Sequence, residues 1–149
     1  MPATSLWAIS AGPERESWGQ GSRSVAHLPI NRGFDQHFGF LGGGEDHFTQ
    51  VSGEDPVVGS LVDLWRDRGP AVGENGTFSG YLYSREAERV IRSHASSAGG
   101  KPLFMYLAWH LVHSPLEVPP QYFDPSCADS PKRQLYHGMT TALVRAATL

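Results

Sequence analysis

Gly100 to Tyr122 reads G-K-P-L-F-M-Y-L-A-W-H-L-V-H-S-P-L-E-V-P-P-Q-Y, and its reading decides the fold. Leu103 to Trp109 is apolar at every position, so a strand built from it can spare neither face to water. The expectation is an interior strand of a sheet covered on both sides, which is the mark of an α/β architecture. Pro102 sets its start, and H-L-V-H-S-P marks the exit into a loop at its carboxyl end. Open α/β sheets bind ligands at that end, so His110 and His113 lie where chemistry would be done.

Upstream, Tyr83, Ala87, Val90, Ile91 and His94 recur at helical spacing, while Arg85, Glu86, Glu88, Arg89 and Arg92 fall on the solvent side. This pattern predicts a helix that begins at Ser79 as its N-cap and ends in the turn from Ser96 to Gly100. Helix, turn and apolar strand together make one αβ unit of a parallel or mixed sheet. Leu61 to Arg66 reads as a short strand closed by Arg68-Gly69-Pro70. In Leu28 to Gln50, aromatics at 34, 38, 40 and 48 alternate with glycines and polar residues. This is a loop pinned by buried rings, each contributing roughly 2 kcal/mol. Met1 to His27 has no sustained period and reads as irregular or disordered. Downstream, Pro115, Pro119 and Pro120 keep the chain extended, Tyr122 to Ser130 is a polar loop, and Pro131 to Leu149 carries a partial helical stripe of Leu135, Tyr136, Met139, Leu143 and Val144.

The 149 residues suit one domain with a single core, and 17 Gly with 11 Pro imply many loops. A net charge of -3 without a dense run of Lys or Arg argues against nucleic acid as a partner. The single cysteine, Cys127, excludes an internal disulfide and a thiolate metal cage. No stretch approaches the length of a membrane span, and the N-terminus lacks the basic start and apolar run of a signal peptide.

R-G-F-D-x-x-F-G-F-L-G-G-G-E-D-H (Arg32 to His47), D-L-W (Asp63 to Trp65), N-G-T-F-S (Asn75 to Ser79), the block from Lys101 to Tyr122 and Y-H-G-M (Tyr136 to Met139) follow one another in an order that resembles the sulfatases, nearest the arylsulfatase B, I and J branch. The resemblance covers Leu28 to about Leu143 and divides the chain into an unassigned 1–27, a partial sulfatase domain at 28–143 and a divergent tail at 144–149. It implies a partial alkaline-phosphatase-like α/β/α sandwich, with an incomplete sheet and long loops. It also implies hydrolysis of sulfate esters, with a sulfated small molecule or saccharide as partner and a lysosomal or secreted setting. In the family the nucleophile is a formylglycine made within a C-x-P-x-R or related motif, and calcium is held by Asp and Asn oxygens. Cations and donors around the sulfate offset charge that shifts in the transition state. Residue by residue, one position carries over: His113 matches the histidine that approaches the sulfate, as both a catalytic and a substrate-binding group. An imidazole N–H can donate to the sulfate or to the leaving oxygen.

The departures are as informative. No C-x-P-x-R or C-x-A-x-R occurs, and Cys127, in S-C-A-D-S-P-K-R, has Pro and Arg at other offsets. No aspartate pair begins an N-terminal strand and no D-N-G follows, so the family's calcium ligands are not expected in this chain and formylglycine is expected to be absent. The other polar residues have plainer readings. His110 and His113 would point to different faces rather than share a metal, His37 and His47 would be packing or surface groups, and Glu45-Asp46 would form a solvated turn. Trp65 and Trp109 read as core, and Cys127 has no neighbour to lower its pKa. Two function classes follow. One is a fragment of an arylsulfatase-type sulfuric ester hydrolase, inactive as an isolated chain. The other is a non-catalytic binder of sulfated saccharides using loops around His113, Asp63 and Trp65, with a truncated gene model as a third reading.

Overall fold

The computed structural model describes residues 5–11, 25–52, 60–97 and 100–148. Its strands are β1 (Ser5–Ala11), β2 (Gln36–Phe40), β3 (Trp65–Arg66), β4 (Gly69–Pro70) and β5 (Leu103–Leu107), joined in one sheet in the order β4-β3-β2-β1-β5. β1 runs parallel to both its neighbours, with Ile9 opposite Phe38 on one side and Leu107 on the other. β3 and β4 form an antiparallel hairpin on the outer edge of β2. At its tip Asp67 adopts a positive φ of 54° and accepts a hydrogen bond from the His37 backbone N–H at 2.8 Å. Two α-helices, α1 (Ser79–Ser97) and α2 (Pro131–Ala146), and single 3-10 turns at Val25–His27, Pro29–Asn31 and Pro120–Tyr122 complete the described elements.

The loop expected over Leu28 to Gln50 holds β2, the central strand of the sheet, although the rings at 38 and 40 are buried as expected; the pairing partners are remote in sequence. Three further expectations change. The irregular reading of residues 1–27 fails at Ser5–Ala11, which is a strand inside the sheet. Its partners are remote in sequence, so no local turn or alternation announces it. Val25–His27 forms a single 3-10 turn, and the remainder of that reading, at 1–4 and 12–24, lies outside the described residues. Second, β5 is not an interior strand covered on both sides. It stands at the sheet edge, and Phe104 and Tyr106 remain 53% and 47% exposed while Leu103, Met105 and Leu107 pack inward. A run apolar at every position carries no information about which face is covered; at β5 the packed cluster lies on the Leu103, Met105 and Leu107 side, while β2, two strands in, is buried on both faces. Third, the strand expected over Leu61 to Arg66 shortens to Trp65–Arg66, with Val62 only in an isolated bridge to Val51.

The covered face is built by α1. Leu82, Tyr83, Ala87 and Val90 descend onto Phe38, Phe40 and Leu64, with Leu103, Met105, Leu107 and Trp109 closing the cluster. Phe38 meets Tyr83 edge-on at 6.1 Å, an arrangement favoured by the ring quadrupoles. Ile91, expected on this face, is 41% exposed, and Glu86, expected in solvent, is buried. The reason is the β3–β4 hairpin: Arg66 reaches across to Glu86 at 2.5 and 3.0 Å, and Arg89 adds a second pair from the next helical turn. Burial alone would raise the Glu86 carboxyl, but bonds from both guanidinium groups and their charges outweigh it and hold it at about 2.

α2 packs against α1 and the proline-rich loop through Gly138, Met139, Ala142 and Ala146, whereas Tyr136 and Val144 point outward. Gly138 is required by close approach. A Cβ there would lie 2.6 Å from the Tyr122 carbonyl oxygen. Pro120–Tyr122 forms a single 3-10 turn beneath it. No described helix is long and apolar enough to cross a membrane.

Candidate functional site

The loop leaving β5 turns sharply at His110 to His113, where the His113 N–H bonds the His110 carbonyl at 2.9 Å. This turn sends the two imidazoles to different places. His110 is buried, stacked on His47 at 3.9 Å and edge-on to Phe40 at 5.0 Å. Neither of its ring nitrogens has a hydrogen-bond partner among the described residues. Desolvation, with smaller contributions from His47 and His113, holds its pKa at about 3, so it packs as a neutral ring. His113 is exposed, and its ring lies 6.0 Å from that of His110. Its Nδ1 lies 2.8 Å from the Ser114 carbonyl oxygen. A carbonyl can only accept, so Nδ1 carries the proton and Nε2 is the nitrogen left to act outward.

His47 fixes the backbone of this loop. Its Nε2–H donates to the His113 carbonyl at 3.0 Å, which leaves Nδ1 as the acceptor for the Ser79 hydroxyl at 2.7 Å. The His47 backbone N–H donates to Glu117 at 3.0 Å. Burial lowers the His47 pKa, consistent with a neutral ring serving both bonds. Expected only as a packing or surface group, His47 is fully buried and ties three chain segments together. Ser79, read as an N-cap, spends its hydroxyl on this tie, and the first helical carbonyl bond runs from Leu82 N–H to Phe78 instead. Gly44 closes over the result: a Cβ there would sit 3.4 Å from His113 Cε1.

The carboxylates around this loop are already committed. Glu45, expected in a solvated turn, is 2% exposed and accepts the Tyr83 hydroxyl at 2.9 Å. Burial raises its pKa to about 8 against that bond, with help from Asp63 and Asp46. Asp46 accepts from the Phe48 and Thr49 N–H groups and the Thr49 hydroxyl, and Asp63 from the Leu41 and Gly42 N–H groups and Trp65 Nε1. Asp63 and Trp65 thus brace each other and the glycine loop. Among the described residues no group of three or more His, Cys, Asp or Glu side chains is placed to hold a metal ion. The described carboxylates, each already engaged by hydrogen bonds, do not fit a calcium site. Cys127 is exposed and its flanking residues do not supply a formylglycine motif.

A mixed sheet with β2, β1 and β5 parallel, α1 packed against it and a histidine turned out beyond the last strand make an alkaline-phosphatase-like α/β fold of the sulfatase type. The solved structure of Ps i-CgsB in complex with k-i-k-neocarrahexaose superposes with a TM-score of 0.73 at 22% identity, over 96% of this chain and 32% of that one. Arylsulfatase J of Mus musculus is 34% identical over 108 residues, 72% of this chain and 17% of its own length. An arylsulfatase of Klebsiella aerogenes is 28% identical over 94 residues, 63% of this chain and 20% of its own. No family model matches the chain. It belongs to the sulfatases as a partial domain, spanning between 17% and 20% of the length of the curated relatives it matches.

The resemblance read from the sequence blocks is therefore carried by the comparisons as well as by the fold. What sequence reasoning missed was the tie from Ser79 through His47 to the His113 carbonyl. Its one visible trace was Gly42-Gly43-Gly44, a run that signals close backbone approach but does not say to what.

Proposed function

We propose that the chain forms one wall of the substrate site of a sulfuric ester hydrolase, and that His113 is the group presented to the sulfate. The single observation that carries this reading is the orientation of that ring: exposed, its Nδ1–H turned back to the Ser114 carbonyl and its backbone anchored by His47. Such a ring keeps Nε2 available. When protonated it donates to a sulfate oxygen or to the leaving oxygen, and its positive charge offsets the anion. When neutral it accepts a proton there. Formylglycine and calcium supply the nucleophile and a Lewis acid in the family, and neither is assigned to residues of this chain.

Binding without turnover is the expected behaviour of a polypeptide of these 149 residues. Titration with p-nitrophenyl sulfate in the presence of calcium should give weak, saturable binding that His113→Ala removes, with no release of p-nitrophenol. Turnover above the buffer rate, or binding that His113→Ala leaves unchanged, would overturn the proposal. In the alternative, a non-catalytic saccharide binder using the loops around His113, Asp63 and Trp65, the last two lose support from their mutual hydrogen bond of 2.8 Å and from the two backbone N–H groups already on Asp63.

A further inference from the structure

Asn75-Gly76-Thr77 takes no part in the His113 loop or its supports, yet it fits the triplet that accepts N-linked sugar, Asn-x-Ser/Thr with x other than Pro. The other asparagine, Asn31, is followed by Arg32 and Gly33 and does not fit it, and its Oδ1 accepts from Arg68 at 2.7 Å. In the fold, Asn75 and Gly76 are the central residues of a turn closed by the Thr77 N–H on the Glu74 carbonyl at 2.9 Å. Gly76 has a φ of 89°, the left-handed value that the third position of a type II turn requires. That requirement accounts for the glycine. It does not account for Asn75, since the second position of such a turn needs no amide and favours Pro.

The turn is tied down around one outward corner. Glu74 pairs with Arg85 of α1 at 2.6 Å, the Gly76 N–H donates to the Phe48 carbonyl at 2.8 Å, and just past the turn the Ser79 N–H donates to the His47 carbonyl at 2.7 Å. Asn75 is exposed and Thr77 half-buried, and among the described residues nothing bonds the Asn75 carboxamide or the Thr77 hydroxyl. A group attached at Asn75 Nδ2 therefore displaces no packed side chain and breaks none of the bonds that hold the turn.

We infer that Asn75 is the acceptor for one N-linked oligosaccharide. Asn75 Nδ2 forms a bond to the anomeric carbon of the first sugar while the bond from that carbon to the pyrophosphate of a lipid-linked oligosaccharide breaks. The lipid pyrophosphate leaves with the electron pair, and the amide gives up one proton. Transfer takes place on the growing chain in the secretory lumen, so the native structure decides whether the product can still fold, and an exposed turn corner lets it. The same placement disfavours the competing fate of an Asn-Gly pair, attack of the Gly76 nitrogen on the Asn75 side chain with loss of ammonia, because that N–H is held by Phe48. The inference is independent of the reading of His113.

The full chain, translated behind a cleavable leader into endoplasmic-reticulum microsomes, tests it. Wild-type chain protected from added protease should run as one slower band that peptide N-glycosidase F collapses. Release in heavy-oxygen water should leave a labelled aspartate at position 75, which separates a removed sugar from spontaneous deamidation. Asn75→Gln and Thr77→Ala should lose the slower band, whereas Thr77→Ser, which keeps the hydroxyl, and Asn31→Gln should retain it. A protected wild-type chain without the band, or a band that survives Asn75→Gln, would overturn the assignment. So would a glycosylated chain that melts more than a few degrees below its enzymatically released form, since Asn75 would then not be a free corner. If the sugar is present and p-nitrophenyl sulfate does not bind, the reading of His113 falls and the acceptor stands; an unmodified Asn75 in a chain that binds does the reverse.

Discussion

Each of the three buried imidazoles serves as a neutral ring, and that choice has a pH signature. Burial holds His37 at about 4 and His110 at about 3, and lowers His47 as well. The native state therefore binds fewer protons at these groups than the unfolded chain, whose histidines titrate near 6.5; stability present above about pH 6.5 is lost as pH falls toward 3. Glu45 acts in the opposite sense. Its carboxyl, raised by burial to about 8 from an ordinary 4.5, gives stability that is present below pH 4.5 and lost as pH rises through 8; Glu117, also raised by burial, follows the same direction. Between 4.5 and 6.5 three imidazoles oppose two carboxyls, and above 6.5 only the carboxyls of this set still titrate. Stability should peak near pH 6.5, as urea midpoints taken from pH 4 to 9 would show, and Glu45→Gln should flatten the alkaline limb. A midpoint still climbing at pH 8 would contradict this assignment.

His47 gives a second prediction at the residue scale. His47→Phe keeps the ring stack on His110 but leaves the His113 carbonyl and the Ser79 hydroxyl without their partner, at a cost of about 1–3 kcal/mol. Chemical denaturation measures it. The same variant should raise the hydrogen-exchange rate of amides in the His110 to Ser114 turn more than in α1, because the tie holds the turn and not the helix.

At the scale of elements, what the sequence made legible depended on whether neighbours in space were neighbours in the chain. α1 was readable because its apolar stripe is local, and β5 was readable as a strand because seven apolar residues in a row leave little else. The sequence could not say that β5 would stand at an edge, that Ser5–Ala11 would pair beside it, or that Arg66 would draw Glu86 inward, since each depends on a partner well outside the local window, 20 residues away for Arg66 and Glu86. The candidate site divided the same way. His113 followed from a motif at a strand end, whereas the supports from His47 and Ser79 follow only from tertiary contact. In α2 the stripe held at Met139 and Leu143 but missed the small residues at 138, 142 and 146 that complete the contact face, and Tyr136 and Val144 lie outside it. Gly138→Ala tests that packing. With a carbonyl oxygen 2.6 Å from the new Cβ, the helix must lift off the 3-10 turn, and the thermal midpoint should fall by an amount equivalent to about 1–3 kcal/mol. An unchanged midpoint would show that α2 is not seated on Tyr122.

For the whole molecule, the decisive asymmetry is at the β5 edge, where one face packs into the core and the other stays half exposed, although β2, two strands in, is buried on both faces. Phe104 and Tyr106 stand on the other face of an edge strand, and an exposed apolar edge strand is a template for association. Phe104→Ser with Tyr106→Ser should lower light scattering at a given concentration while leaving unfolding cooperative, because neither ring belongs to the packed core. If the double variant instead loses its cooperative transition, those rings belong to the core and the assignment of this face as exposed is wrong.

The central claim is that His113 keeps Nε2 free for an anion while Nδ1 is held by its own loop. Nitrogen-15 spectra of the labelled histidine rings, followed as inorganic sulfate is added, test it most directly. The account predicts that His113 begins as the tautomer protonated on Nδ1 and that its ring signals move saturably with sulfate, while those of His47 and His110 stay fixed. A His113 ring protonated on Nε2 from the outset, or one that sulfate leaves unmoved, would contradict it.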